Sequence, residues 1–186
     1  MPFTYLDVIL GLVFVFVTVY SLTQGVLRQL ISLGLLYLTT AVVGSLYPVA
    51  AYYVQAFGPN SPTLRQAIVF VVLMVLINVL LELLLRRWFP DTRLLRLGAL
   101  DRILAVGPGI LCGLIIVSLL MSAVGYATVE SWGDRPAPAQ TALARTVRGS
   151  LSYPLLGQFM QLYLTAHQPW LPSPPPLLAY LLPDGS

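Results

Sequence analysis

The sequence predicts an all-α integral membrane protein: four transmembrane helices in two hairpins, then a short C-terminal amphipathic helix and tail. Three observations lead there. Only 9% of the 186 residues are charged, 58% are hydrophobic, and the mean hydropathy is +0.84. Soluble domains carry about a quarter of their residues as charge, because their surface must be wetted. Four apolar stretches each approach the roughly 20 residues that a helix needs to cross a bilayer. Turn-forming or arginine-bearing segments separate them. Such a chain needs lipid as part of its solvent.

The spans are expected at about residues 4–23, 30–54, 64–85 and 103–127, together forming a transmembrane domain over 1–127. No Lys or Arg precedes the first span, and no small-residue cleavage pattern stands before Gln24, so it is expected to be retained rather than removed as a signal. Gln24 to Gln29 interrupts the first two spans as a tight polar hinge, which implies an antiparallel hairpin. Pro48 lies late in the second span and is expected to kink or end it. Gly58-Pro59-Asn60-Ser61-Pro62 is a loop, and Ser61 before Pro62 has the form of an N-cap with proline at the first helical position.

Residues 128–186 change in composition. Gly133 to Ala139 is a polar linker. Leu155, Leu156, Phe159, Met160, Leu162 and Tyr163 recur at roughly helical spacing, as in an amphipathic helix lying at a membrane surface. Pro172 to Pro176 and the last residues have the composition of an extended, proline-rich end.

All ten basic residues are arginine, and the formal charge is +3. They are scattered among apolar spans rather than massed on one face, so nucleic acid is not an expected partner. With four spans, Arg28, Arg86, Arg87, Arg93, Arg96 and Arg102 fall on one side. Arg65, Arg135, Arg145 and Arg148 fall on the other. The positive-inside rule places the richer side in the cytoplasm and both termini outside it.

Polar groups in hydrocarbon are costly, about 2.5–3.5 kcal/mol for a central charge on insertion scales, so they mark positions with a role. The candidates are Asp7, Arg28, Asn78, Glu82, Asp101 and Arg102. Asn78 and Glu82 are four residues apart and share one face of the third helix. That face suits a proton or substrate relay; equally, Glu82 pairs with Arg86 one turn later and snorkels. Asp7 either caps its helix at the interface or makes an interhelical polar contact. Gly109 and Gly113 form a small-xxx-small pair with Gly107 before it, and Gly34 and Ala41 in the second span offer a matching groove. Pro108 adds a kink site.

Catalysis finds little support. His167 is the only histidine, read here as a surface residue of the tail, and Cys112 is the only cysteine. A metal site needs several convergent ligands, and no phosphate-binding glycine loop is present. No cofactor is expected.

Asp7 followed by Gly25-Val26-Leu27-Arg28 resembles the first hairpin of the colicin V production protein (CvpA) family. Leu97-Gly98-Ala99-Leu100-Asp101-Arg102-Ile103-Leu104, then Gly109 and Gly113, is similar to its second signature. The likeness covers about Tyr5 to Ala127, and the tail matches in layout, with a linker, Ser150, then Pro154 and an apolar segment. Gln24, Cys112 and Ala105 depart from it, at positions where the family often has arginine, arginine and glycine. The resemblance implies a four-span protein of the bacterial inner membrane without a catalytic site, accessory to toxin production or export, or to envelope stress tolerance. Some relatives carry an added serine protease domain, which is not expected within these 186 residues. Association with itself or another membrane protein is the expected mode of action. A small proton-coupled transporter or channel using Glu82 and Asn78 is the alternative.

Overall fold

The computed structural model describes residues 3–21, 23–88, 99–133, 137–171 and 173–182, with backbone alone at 99, 100 and 102. Asp91, Arg93, Arg96 and the side chain of Arg102 lie outside the described residues. The described chain is helical, with no strand in it.

The helices are α1 (Tyr5–Ser21), α2 (Val26–Tyr53), α3 (Pro62–Trp88), α4 (Ala99–Leu104), α5 (Val106–Tyr126), α6 (Pro138–Gly149), α7 (Ser152–His167) and α8 (Pro176–Ala179). Three of them, α2, α3 and α5, are long and apolar enough to cross a membrane. The 17-residue α1 is apolar but shorter. Val72, Val75, Leu76, Val79 and Leu80 of α3 are all exposed. An exposed surface of that kind is stable only against hydrocarbon. The chain is a multi-pass membrane protein.

Local chemistry sets the boundaries. Ser61 Oγ accepts from the Leu64 amide at 3.4 Å and Pro62 opens α3, as the sequence predicts. The hinge is shorter than expected, because Val26, Arg28 and Gln29 already belong to α2. Pro48 does not end that helix, which runs on to Tyr53. The fourth apolar stretch is two helices broken at Ala105. Pro108 accounts for the break: its ring excludes the carbonyl four residues back, that of Leu104, where α4 stops.

The core is built around α5, which packs against α1, α2, α3, α6, α7 and α8. A Cβ on Gly109 would overlap Ser21, and one on Gly113 would stand 2.9 Å from the Phe14 ring. Because 109 meets 21 and 113 meets 14, α1 runs antiparallel to α5. The glycine face therefore seats α1, not α2. The close approach expected at Gly34 and Gly107 does not occur: nothing lies within 4 Å of where their Cβ atoms would be, since both face outward.

The tail differs most from expectation. Its extended part is short, and from Pro176 the chain turns helical and enters the core, where Leu177, Leu178 and Leu181 are fully buried. Ser122 Oγ donates to the Leu177 carbonyl, and a Cβ on Gly125 would collide with the Tyr180 ring. The amphipathic segment is the longer helix α7, packed on α5 through Leu156, Met160, Tyr163 and Leu164. Its last residue corrects the surface assignment of His167, which is fully buried. Its ring lies against those of Tyr37 and Tyr163, with its nitrogens 2.9 and 3.1 Å from the carbonyl oxygens of Tyr163 and Tyr37. Tyr37 is near the middle of α2, so α7 reaches about half the depth of the bundle before the chain turns back.

Candidate functional site

Two buried carboxylates join segments distant in sequence, one at each end of the bundle. Asp7 stands at the third position of α1. Its amide faces Thr4 Oγ1 at 3.4 Å, while its Oδ2 accepts from the Thr4 amide and hydroxyl at 2.9 and 2.8 Å. This is a capping box with aspartate in the place of glutamate. The same carboxylate accepts from Ser150 Oγ, from the Leu151 amide at 3.4 Å, and from Ser152 through its amide at 3.1 Å and its hydroxyl at 2.7 Å. The N-cap residue of α7, Leu151, brings no side-chain cap, and Ser150 Oγ accepts from the Ser152 amide at 3.2 Å. Asp7 serves it as an external cap, a negative charge against the positive end of the helix dipole. One carboxylate thus caps its own helix and makes a polar contact with another.

At the opposite end, Asp101 is 5% exposed, and its Oδ1 accepts from the Val26 amide at 3.0 Å. Gly25 precedes that amide with φ +84, and a Cβ there would stand 2.5 Å from Asp101 Oδ2. The α2 N-terminus, which lacks a side-chain cap of its own, is thus capped by α4.

Beside it lies an ion cluster. Arg28 Nη2 donates to Glu82 Oε1 at 2.8 Å, and Arg86 Nε donates to the same oxygen at 3.3 Å. Arg86 Nη2 also donates to the Tyr20 hydroxyl at 2.8 Å, and Ser32 Oγ lies 3.4 Å from Glu82 Oε2. The i,i+4 pairing with Arg86 is present as read from the sequence; the link to Arg28, 54 positions earlier, is not legible there. Asn78 Nδ2 donates back to the Met74 carbonyl at 3.0 Å, within its own helix.

This cluster closes one end of a groove of about 530 Å³ between α1, α2, α3 and α5. Tyr20, Gln24, Gln29, Ser32, Glu82 and Arg86 line the charged end, while Leu36, Phe70, Met74, Leu119 and Leu120 line the other. Among the described residues no group of three or more His, Cys, Asp or Glu could hold a metal ion.

The family profile for colicin V production protein matches residues 6–161. The chain belongs to that family. The match covers most of its length, and no curated protein and no solved structure matches it significantly. The elements that carry the resemblance to the colicin V production family meet in pairs here, Gly25 on Asp101 and Asp7 on Ser150. Gln24 and Cys112 both line the groove. Ser152, Tyr20 and Ser32 complete these sites and were not singled out by sequence, because each is an ordinary polar residue until its distant partner is known; Ser150 was named only through the family resemblance, with no partner assigned.

Proposed function

We propose that the protein is a non-enzymatic accessory factor of the bacterial inner membrane, supporting toxin production or export, or envelope homeostasis, through association with itself or another membrane protein. One observation carries this reading: the carboxylates within the bundle are occupied in joining segments to one another. Asp7 holds α7, Asp101 holds α2, and Glu82 holds Arg28 and Arg86. A scaffold of this kind presents outward faces of fixed shape, and Gly11 and Gly34 leave bare backbone on them, a feature that lets membrane helices approach closely. On this reading α1, lying antiparallel along α5, is the fourth crossing, and both termini are extracytoplasmic.

The test is complementation with crosslinking. In a bacterium that secretes a peptide toxin, removing the endogenous relative should lower toxin in the medium, and this chain should restore it. A photo-crosslinker at position 34 should capture a discrete adduct in the same cells. Unchanged secretion, together with monomers only after crosslinking, overturns the proposal. Reporter fusions after Ala127 test the orientation, which fails if the fusion is active only in the cytoplasm.

A further inference from the structure

The groove is built like a lipid site, and three features specify the occupant. First, its polarity is graded along its length. From Phe70 to Arg86 helix α3 spans 16 residues, about 24 Å at 1.5 Å per residue, passing from apolar walls to the ion cluster. Second, its rim opens sideways. Val75, Val79 and Leu83 line the groove and are more than half exposed. In a membrane that rim faces hydrocarbon, so the occupant enters from the bilayer and presents an apolar body to it. Third, among the described residues the charged end has surplus cation. Glu82 is one carboxylate shared by Arg28 and Arg86, and Arg87 follows directly. Among the described residues, buried Gln24 Oε1, in the groove lining, and buried Arg28 Nε have no hydrogen-bond partner. Trp88, 74% exposed, ends the same helix, and such residues sit at headgroup level.

We propose that this groove binds an acyl chain of an anionic phospholipid, with the phosphate at Arg86 and a hydroxyl-bearing head donating to Gln24 Oε1. The volume lies within the roughly 300–1,000 Å³ typical of small-molecule pockets. One arginine near a membrane surface contributes about 1 kcal/mol of attraction for acidic lipid, equivalent to about fivefold in occupancy. This site goes beyond the accessory function and is read on the purified protein, whereas partner association is read in cells.

The experiment uses the full chain, delipidated and then exchanged into mixed micelles containing phosphatidylglycerol or phosphatidylcholine. Native mass spectrometry should show one phosphatidylglycerol retained per chain, preferred about fivefold over phosphatidylcholine. Arg86→Gln should abolish the preference while leaving a chain bound, and Val75→Trp, which fills the groove, should retain neither. A second readout needs no variant. Cys112 lies in the groove wall, so phosphatidylglycerol should slow its alkylation by N-ethylmaleimide severalfold, and phosphatidylcholine should slow it less. Equal retention of the two lipids, loss of both on delipidation with no protection of Cys112, or an unchanged preference in Arg86→Gln overturns the assignment.

Discussion

Asp101 accepts a hydrogen bond from the Val26 amide at 3.0 Å, while its other oxygen stands 2.5 Å from where a Cβ on Gly25 would be. One glycine therefore meets two requirements at once, a left-handed backbone and room for a carboxylate belonging to another hairpin. Gly25→Ala should destabilise the protein more than Asp101→Ala. The alanine at 25 meets both the φ and the overlap, whereas Asp101→Ala leaves one buried amide unpaired, at about 1–3 kcal/mol. Asp101→Asn keeps an acceptor and should fall between wild type and Asp101→Ala. Thermal unfolding in a fixed detergent ranks the three.

Asp7 is the counterpart at the other end. With six donors on one carboxylate, its removal should release the α6–α7 junction before the spans unfold. Asp7→Ala should accelerate trypsin cleavage after Arg145 and Arg148 by an order of magnitude or so, as a local opening losing about 1.4 kcal/mol requires. Cleavage after Arg65 should be unchanged. Equal acceleration at all three sites would mean that Asp7 supports the bundle as a whole.

Arg28 and Glu82 are 18% and 26% exposed, so water screens the pair only in part. Breaking it from either side should cost more than removing it. Arg28→Met and Glu82→Met should each lower stability by about 1–3 kcal/mol, and the double variant should recover most of the loss, since a hydrophobic pair replaces an ion pair at little net cost. Glu82→Met is expected to be the worse single change, because it leaves Arg28 and Arg86 facing each other.

Glycine contacts allow an internally controlled comparison. Gly109→Ala drives a methyl into Ser21 and should separate α1 from α5, whereas Gly34→Ala meets nothing within 4 Å. The first should lower the melting temperature markedly and the second should leave it unchanged. Ser21→Gly, which vacates the space, should rescue Gly109→Ala in part. Lack of rescue would show that the loss arises elsewhere.

What was legible in the sequence was local or periodic. Apolar runs located the long helices α2, α3 and α5, Ser61-Pro62 located the start of α3, and the i,i+4 rule found Glu82 with Arg86. What was not legible depends on segments meeting across the bundle. Asp7 reaches Ser150 across 143 positions, and Arg28 reaches Glu82 across 54. The small-xxx-small spacing identified a packing face at Gly109 and Gly113 but pointed to the wrong partner, Gly34 and Ala41 of the second span, where α1 is the helix seated there; no spacing rule distinguishes Gly34, which faces outward. His167 misled because Gln168 and Pro169 made its neighbourhood look solvated. The ring is buried by Tyr37 and Tyr163, and of these only Tyr163 is near it in sequence.

The same limit applies to the C-terminal segment, whose prolines suggested an extended end. Leu177 and Leu178 are fully buried beneath that composition, whereas Leu162 on α7 is 71% exposed. If the segment is part of the core, Leu178→Ala should cost about 2–5 kcal/mol, the range for a leucine cavity. Leu162→Ala should change stability by less than about 0.5 kcal/mol. Gly125→Ala should mimic the loss by displacing the Tyr180 ring, and Tyr180→Ala should relieve that clash. Removing residues 176–182 should then uncover Ser122 and Gly125 on α5, so that a Ser122→Cys thiol in a Cys112→Ser background is alkylated severalfold faster in the shortened chain than in the full one. Equal alkylation at position 122 in the full and shortened chains would place the segment outside the core.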